Sequence, residues 1–218
     1  MKKILIFIVS MACLLCGCGN NEASSSNEEQ KDTNQAEVVE EVSLDAQMSV
    51  EECSFENTIG DTLYFLIVTN NSSKTVKIDV NAIAKDVDGN TIGATNSDEN
   101  AIGGGETVCL CNFFNALQNV ESFEYTMMVE EDAYFESAGK DIEIQESKTD
   151  EKLILTYQNV GEEDVYEIEA YALFFANGEL IGYDSSSEYE VKAGATVSTE
   201  LTCFEKYDDV KVYVHGER

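Results

Sequence analysis

The 218-residue sequence repeats itself at an offset of 89 residues, and that duplication limits the folds open to it. Asn70, Gly89, Gly93 and Gly105 fall on Asn159, Gly178, Gly182 and Gly194 without a gap. Asp61, Leu66, Val76, Ile92, Ser97, Glu99, Thr107 and Val108 match Asp150, Leu155, Val165, Ile181, Ser186, Glu188, Thr196 and Val197, which makes 12 identities in 48 positions. Any fold assigned to the first copy must therefore serve for the second.

Within each copy the apolar residues recur with period two, the spacing of strands rather than helices. "TLYFLIVTNN" and "EKLILTYQNV" run apolar and break at Asn70 and Asn159. "TVKIDVNAIAKDVDGNTIG" pairs with "DVYEIEAYALFFANGELIG", where Asp88-Gly89 and Asn177-Gly178 predict hairpin turns whose two central residues both need positive φ. "GGGETVCLCNFF" and "KAGATVSTELTCF" place a glycine turn before a further strand. Cys53 and Phe55 align with Ile142 and Ile144 as an alternating first strand, and "ESFEYTMMV" and "DDVKVYV" close the copies. Six or seven short strands in about 80 to 90 residues suit a small antiparallel sandwich. These pieces resemble the FxLYD-type and related immunoglobulin-like domains of bacterial surface lipoproteins. The resemblance implies an all-β chain of two tandem antiparallel immunoglobulin-like β-sandwiches, over residues 47–137 and 138–218, in an extracellular setting. It transfers no catalytic residue.

Ahead of the repeat, Lys2 and Lys3 followed by the apolar run Ile4 to Leu15 have the layout of a secretory signal, too short to span a bilayer as a helix. Leu15-Cys16-Gly17-Cys18 resembles the lipobox of bacterial lipoproteins. In that family the signal, here 1–17, is removed, and the cysteine, here Cys18, carries the lipid that anchors the chain to the membrane. Two acyl chains anchor stably where one binds only marginally. Residues 18–46 then read as a lipidated N-terminus and an acidic tether. From Gly19 to Ala46 there is no aromatic residue, and eight acids stand against one lysine, too little apolar surface to offset ordering entropy. A flexible tether of that length reaches roughly 30 Å.

Cleavage removes Lys2 and Lys3 and takes the net charge from −30 to −32. So negative a chain is not expected to bind nucleic acid or bare anionic lipid. Asp86-Val87-Asp88-Gly89-Asn90 has oxygen side chains before a glycine, but the spacing is not that of a calcium loop and reads as a turn. Cys53, Cys109, Cys111 and Cys203 remain after cleavage and allow three full pairings, or none. Cys109 and Cys111 share one face of a strand, so they are not expected to bond each other. His215, the sole histidine, stands near the C-terminus, where it reads as part of a fraying tail unsuited to a catalytic base. No phosphate-binding glycine loop is present, since "IGGGE" lacks the lysine, and no cofactor is expected.

Seven of the ten tyrosines lie in the second copy. Tyr183, Tyr189 and Tyr207 stand near its expected turns as candidate ligand contacts, because a ring with a hydroxyl gives contact area at low entropic cost. The alternative is that these rings edge the core. The sequence thus reads as a lipid-anchored protein on the extracellular face of the cell membrane, presenting two sandwiches for binding or scaffolding without catalysis, with an extracellular protein or glycan as partner. An accessory subunit of an exported or cell-wall complex, and a glycan hydrolase working through two carboxylates, are the alternatives. Replacing Cys18 by alanine is expected to release the protein into the medium on fractionation, and a variant that stays with the membrane would end the lipoprotein reading.

Overall fold

The computed structural model describes residues 42–149 and 152–218, so Cys18, the signal and nearly all of the tether lie outside the described residues. The first copy holds β1 (Met48–Glu56), β2 (Thr62–Asn70), β3 (Val76–Lys85), β4 (Thr91–Ile102), β5 (Thr107–Phe114) and β6 (Ser122–Glu131). The second holds β7 (Ile142–Lys148), β8 (Lys152–Asn159), β9 (Val165–Ala176), β10 (Glu179–Val191), β11 (Thr196–Thr202) and β12 (Asp209–Glu217). Among the described residues the helical elements are two three-residue 3-10 turns, and no helix is long and apolar enough to cross a membrane.

Each copy is a sandwich of two three-stranded antiparallel sheets, ordered β1-β2-β5 over β4-β3-β6 and β7-β8-β11 over β10-β9-β12. Relabelled A to F in chain order, both copies read A-B-E over a hairpin-bearing sheet of the C and F strands, the immunoglobulin-like connectivity without its last strand. Each has its own core. Tyr64, Leu66 and Val68 meet Ile78, Val80 and Ala82 in the first, and Leu153, Leu155 and Tyr157 meet Ile168, Ala170 and Phe174 in the second.

The repeated asparagines explain why the two copies close alike. Asn70 is fully buried, and its Nδ2 donates to the Lys74 and Ile102 carbonyls at 2.8 and 2.9 Å while its Oδ1 accepts from the Ser72 N–H at 2.9 Å. Asn159 is equally buried and donates to Glu163 and Val191 at 2.8 and 3.1 Å, accepting from Gly161 at 3.0 Å. Every partner is displaced by the repeat offset. The backbone adds a fourth tie, because Gly105 N–H bonds the Asn70 carbonyl and Gly194 N–H that of Asn159, from turns where both glycines sit at positive φ.

The gapless offset fails on the third strand of each copy. Ile78 faces Glu99, whereas Ile168 faces Glu188, so β9 has gained one residue relative to β3. The first copy compensates with a bulge in which Asn100 and Ala101 lie together opposite Lys77. The hairpins differ as well. Asn177 and Gly178 both have positive φ and form the expected two-residue turn. At the other hairpin Gly89 alone has positive φ, and the longer turn is closed by the Asp86 carboxylate, which accepts from the N–H groups of Asp88 and Asn90 at 3.0 and 2.9 Å. Those bonds, with the Asn90 side chain first, hold the Asp86 carboxyl below the usual range.

A third apolar cluster joins the copies. Leu63, Phe65 and Ile67 point away from the first core and, with Cys109, pack against Leu173, beside Tyr171, Phe175, Tyr183 and Tyr213. β2 is therefore buried on both faces, and residues 41–218 form one compact unit. The outer faces of the stack are polar. At the repeat offset, Leu63, Phe65, Ile67 and Cys109 become Lys152, Ile154, Thr156 and Ser198, with Thr156 and Ser198 hydroxyls bonded at 2.9 Å. At the opposite end Lys77 pairs with Glu130 and Lys85 with Glu124. Fully burying an aliphatic or aromatic side chain contributes about 1.5–3 kcal/mol, so the seam weighs as a core. Phe65→Ala is expected to cost about 3–5 kcal/mol in denaturant unfolding, against well under that for Ile154→Ala at the equivalent outer position. Equal losses would show that the seam does not act as a core.

Candidate functional site

The seam turns polar at one end. Where β12 pairs with β9, Tyr213 faces Tyr171, His215 faces Glu169 and Glu217 faces Glu167. The tyrosines belong to the apolar cluster, and beyond them the acids and His215 line a cavity of about 150 Å³ closed by Asp98, Glu99 and Asn100 of β4. The bulge at Asn100 and Ala101 shapes this wall: Ala101 sits at a φ of 52° and its N–H donates to the Asp132 carboxylate at 3.0 Å. Asp98 is exposed, Glu99 and Glu169 are half-buried, and His215 is buried at 6% exposure.

His215 is no frayed tail, because β12 is held against β9 along its length and Arg218 exchanges backbone hydrogen bonds with Glu136. Both ring nitrogens are shut off from solvent, with the Asn100 backbone as their hydrogen-bonding neighbour. The nearest carboxylate oxygens, on Glu99 and Glu106, both lie 3.8 Å away. Glu106 is fixed by the Gly103 N–H at 2.8 Å and by the Ser137 hydroxyl. Burial holds the imidazole below the usual histidine range, against the opposing pull of Glu106, the Asn100 backbone and Glu167.

Glu99 and Glu169 hydrogen-bond each other, which requires one proton between them. Burial is the main cause that raises Glu99 well above the carboxylate range, and the charge of Glu169 adds to it. Burial raises Glu169 too, while its bonds to Glu99 and to the Tyr171 hydroxyl, at 3.2 Å, pull it back. Glu217 is raised by burial and then by Glu167, Asp132 and Glu169. Carboxyls in direct contact leave no space between them for a glycosidic bond, which in hydrolases lies between groups about 5 Å or more apart.

The expected contact residues separate. Tyr183 packs on Phe65 in the seam, with ring centroids 5.4 Å apart. Tyr207 packs on Phe174 at 4.8 Å, and its hydroxyl donates to the Thr149 carbonyl at 3.0 Å. Tyr189 is 60% exposed, stands edge-on to the exposed Tyr166 at 6.4 Å, and hydrogen-bonds Glu167 at the cavity. All four cysteines are free. Cys53, Cys109 and Cys111 sit in the seam, where burial pushes Cys111 up to about 12 and Cys109 higher, so these thiols stay protonated. The sequence reading missed the cavity because its acids lie on β4, β9 and β12 and meet only through the packing of one copy on the other. A signal was present in the single histidine set in an alternating apolar strand.

No family model and no curated protein matches this chain. Solved structures similar to it include a red sea bream transglutaminase, at 6% identity and a TM-score of 0.28 over 78% of this chain and 29% of that one. Another is the C-terminal globular domain of an oligosaccharyltransferase from Pyrococcus abyssi, at 9% identity and a TM-score of 0.24 over 78% of this chain and 47% of that one. The chain spans less than half the length of either, and at these scores neither likeness bears on its activity.

The buried pair makes a pH-dependent prediction. A carboxyl whose folded pKa is raised adds stability that is complete below its unfolded value and fades as pH rises toward the folded one. His215, shifted down, acts in the opposite sense and loses its contribution as pH falls below about 6.5. The groups facing the pair are Asp98 on β4, Glu167 and Tyr171 on β9, and His215 and Glu217 on β12, with Glu106 on the far side of His215. Glu99→Gln keeps a donor for Glu169 without needing the proton. Its melting temperature is expected to exceed the native protein's increasingly from pH 5 to 9, by roughly 2–4 °C per kcal/mol. Parallel curves would contradict the shared proton.

Proposed function

We propose that this chain is a lipoprotein anchored through Cys18 on the extracellular face of the cell membrane, whose two sandwiches act together as a binding or scaffolding body without catalysis. The observation that carries this reading is the apolar seam of Leu63, Phe65, Ile67, Cys109 and Leu173. It gives both copies a fixed mutual orientation, so that one ligand can touch residues from each. The polar outer faces support a body of two copies that does not stack further. The acids support binding over hydrolysis, since the pair most altered by burial, Glu99 and Glu169, is joined by a hydrogen bond rather than spaced around a cleavable bond. The partner is an extracellular protein or glycan, and the charge of −30 disfavours nucleic acid.

Crosslinking of the full chain in its native membrane tests this, with the Cys18→Ala chain as soluble bait alongside. One extracellular protein or glycan is expected in both recoveries, in similar amount. Background alone in both, or hydrolysis of wall glycans by the purified chain, would overturn the reading.

A further inference from the structure

The two copies differ in what fills the space beside one repeated glycine. Gly93 of β4 pairs with Ala84, and its counterpart Gly182 of β10 pairs with Phe174. A Cβ on Gly93 would meet Leu117 at 2.7 Å and Phe114 at 3.1 Å, so those two side chains occupy the space beside that glycine. At the repeat offset their places are taken by Lys206, which is exposed, and by Cys203. Phe174, where the first copy has Ala84, thickens the second core in exchange and packs on Tyr207, yet it does not reach this spot. Within 4 Å a Cβ on Gly182 would meet only the Cys203 Sγ, at 3.2 Å. A hollow of about 200 Å³ opens there, lined by Ile181, Gly182, Tyr183, Cys203 and Phe204 of the second copy and by Phe55 of the first.

The first copy shows what such a space takes, because an aromatic ring and a branched aliphatic chain fill its counterpart. Apolar cavities of about 150 Å³ take up benzene, so this hollow admits a phenyl or isobutyl group. It continues the apolar seam, to which Phe55 and Tyr183 belong. Phe204 is wholly exposed at its edge, and Ile59, which follows the lining residue Thr58, is 79% exposed. Bare apolar side chains grouped around a hollow mark a contact surface wider than one small molecule covers. A second concavity shares Phe55 and is lined by Glu56 and Glu121. Among the described residues no lysine or arginine salt bridge engages these acids or Glu205 of the hollow. That charge favours a basic partner. The chain's own segment from Gly19 to Ala46, with no aromatic residue and eight acids against one lysine, suits the hollow poorly.

We propose that the hollow beside Gly182 receives one apolar side chain, aromatic or branched aliphatic, from a basic segment of a protein partner. The inference rests on the binding reading above and takes its protein form rather than its glycan form. The side chain enters against Ile181 and Cys203, flanked by Phe55 and Phe204, and a neighbouring lysine or arginine of the partner faces Glu56 and Glu205. Both copies touch it, so the site depends on the seam that holds them together.

The chain has no tryptophan, so a probe that carries one reports without background. The Cys18→Ala chain, without detergent to compete for an apolar hollow, is titrated at pH 7 and constant ionic strength with acetyl-Lys-Trp-Lys amide, and the indole emission is followed. A saturable blue shift is expected. Acetyl-Lys-Phe-Lys amide and acetyl-Lys-Leu-Lys amide are expected to displace the probe, and acetyl-Lys-Ala-Lys amide and acetyl-Glu-Phe-Glu amide to do so at least tenfold less well. Cys203→Phe, which restores the residue of the first copy, and Phe204→Ser, at a fully exposed position, are each expected to weaken binding at least tenfold. Tyr166→Ser, at the opposite end of β9, is expected to leave it unchanged. Phe204→Ser decides the matter if Cys203→Phe does not fold, and unaltered binding there would overturn the assignment. Displacement by benzyl alcohol as effective as that by the phenylalanine peptide would make the hollow a site for small apolar molecules. Sedimentation as a dimer that Phe204→Ser dissociates would make the occupant a second copy, and either result likewise overturns the proposal. No shift with the probe, beside a crosslinked partner recovered from the membrane, removes this inference and leaves the binding reading standing.

Discussion

The burial of β2 on both faces is the constraint on which the rest of the molecule depends. A strand in a free sandwich hides one row of side chains and wets the other, but Leu63, Phe65 and Ile67 form a second apolar row that the first core cannot use. Removing that row from water requires a second sheet, and the repeat supplies one in β10-β9-β12. Because the matching positions of the second copy are Lys152, Ile154 and Thr156, the stacking stops after one step. The two copies share a pattern, and their difference at these positions leaves one face of each for the other and the far face for solvent.

The acidic cavity follows from where that seam ends. Along β9 the outer row runs from Phe175 and Leu173 to Glu169 and Glu167, so the low-dielectric contact gives way to carboxyls before it reaches open solvent. Charges placed there are partly stripped of water, and with no lysine or arginine salt bridge to them among the described residues the local response is to neutralise. Glu99 and Glu169 do so through a hydrogen bond that needs one proton, and burial pushes His215 toward its neutral form as well. The bulge at Asn100 and Ala101, absent from the second copy, marks where β4 meets this edge. The copies are thus unlike at the place where they meet.

Much of the fold was legible because local rules and long-range closure agree. Asn70 and Asn159 stand out in sequence as polar ends to apolar runs, and each proves to be a buried side chain bonded to two carbonyls. Asn177-Gly178 reads as a tight turn and is one, since both residues take positive φ. Asp88-Gly89 reads alike but forms a longer turn, because the one-residue register difference between β3 and β9 is taken up there and the Asp86 side chain closes it. The seam also left a trace: "TLYFLIV" lacks the alternation of "KLILTYQ", and "AYALFF" breaks it again in β9. Unbroken apolar runs mark strands covered on both sides.

By itself the sequence determined an all-β chain in two copies, the strands and most turns of each, and an excess of negative charge. These rest on period-two patterning, on glycine and asparagine at positive φ, and on composition, all of which act over a few residues. The tertiary structure alone decided that the copies share a core, that His215 is buried, and that Glu99 and Glu169 meet. Those depend on which face of one sheet meets which face of another. Residues seventy apart, as Glu99 and Glu169 are, become neighbours only once that contact has excluded the water between them.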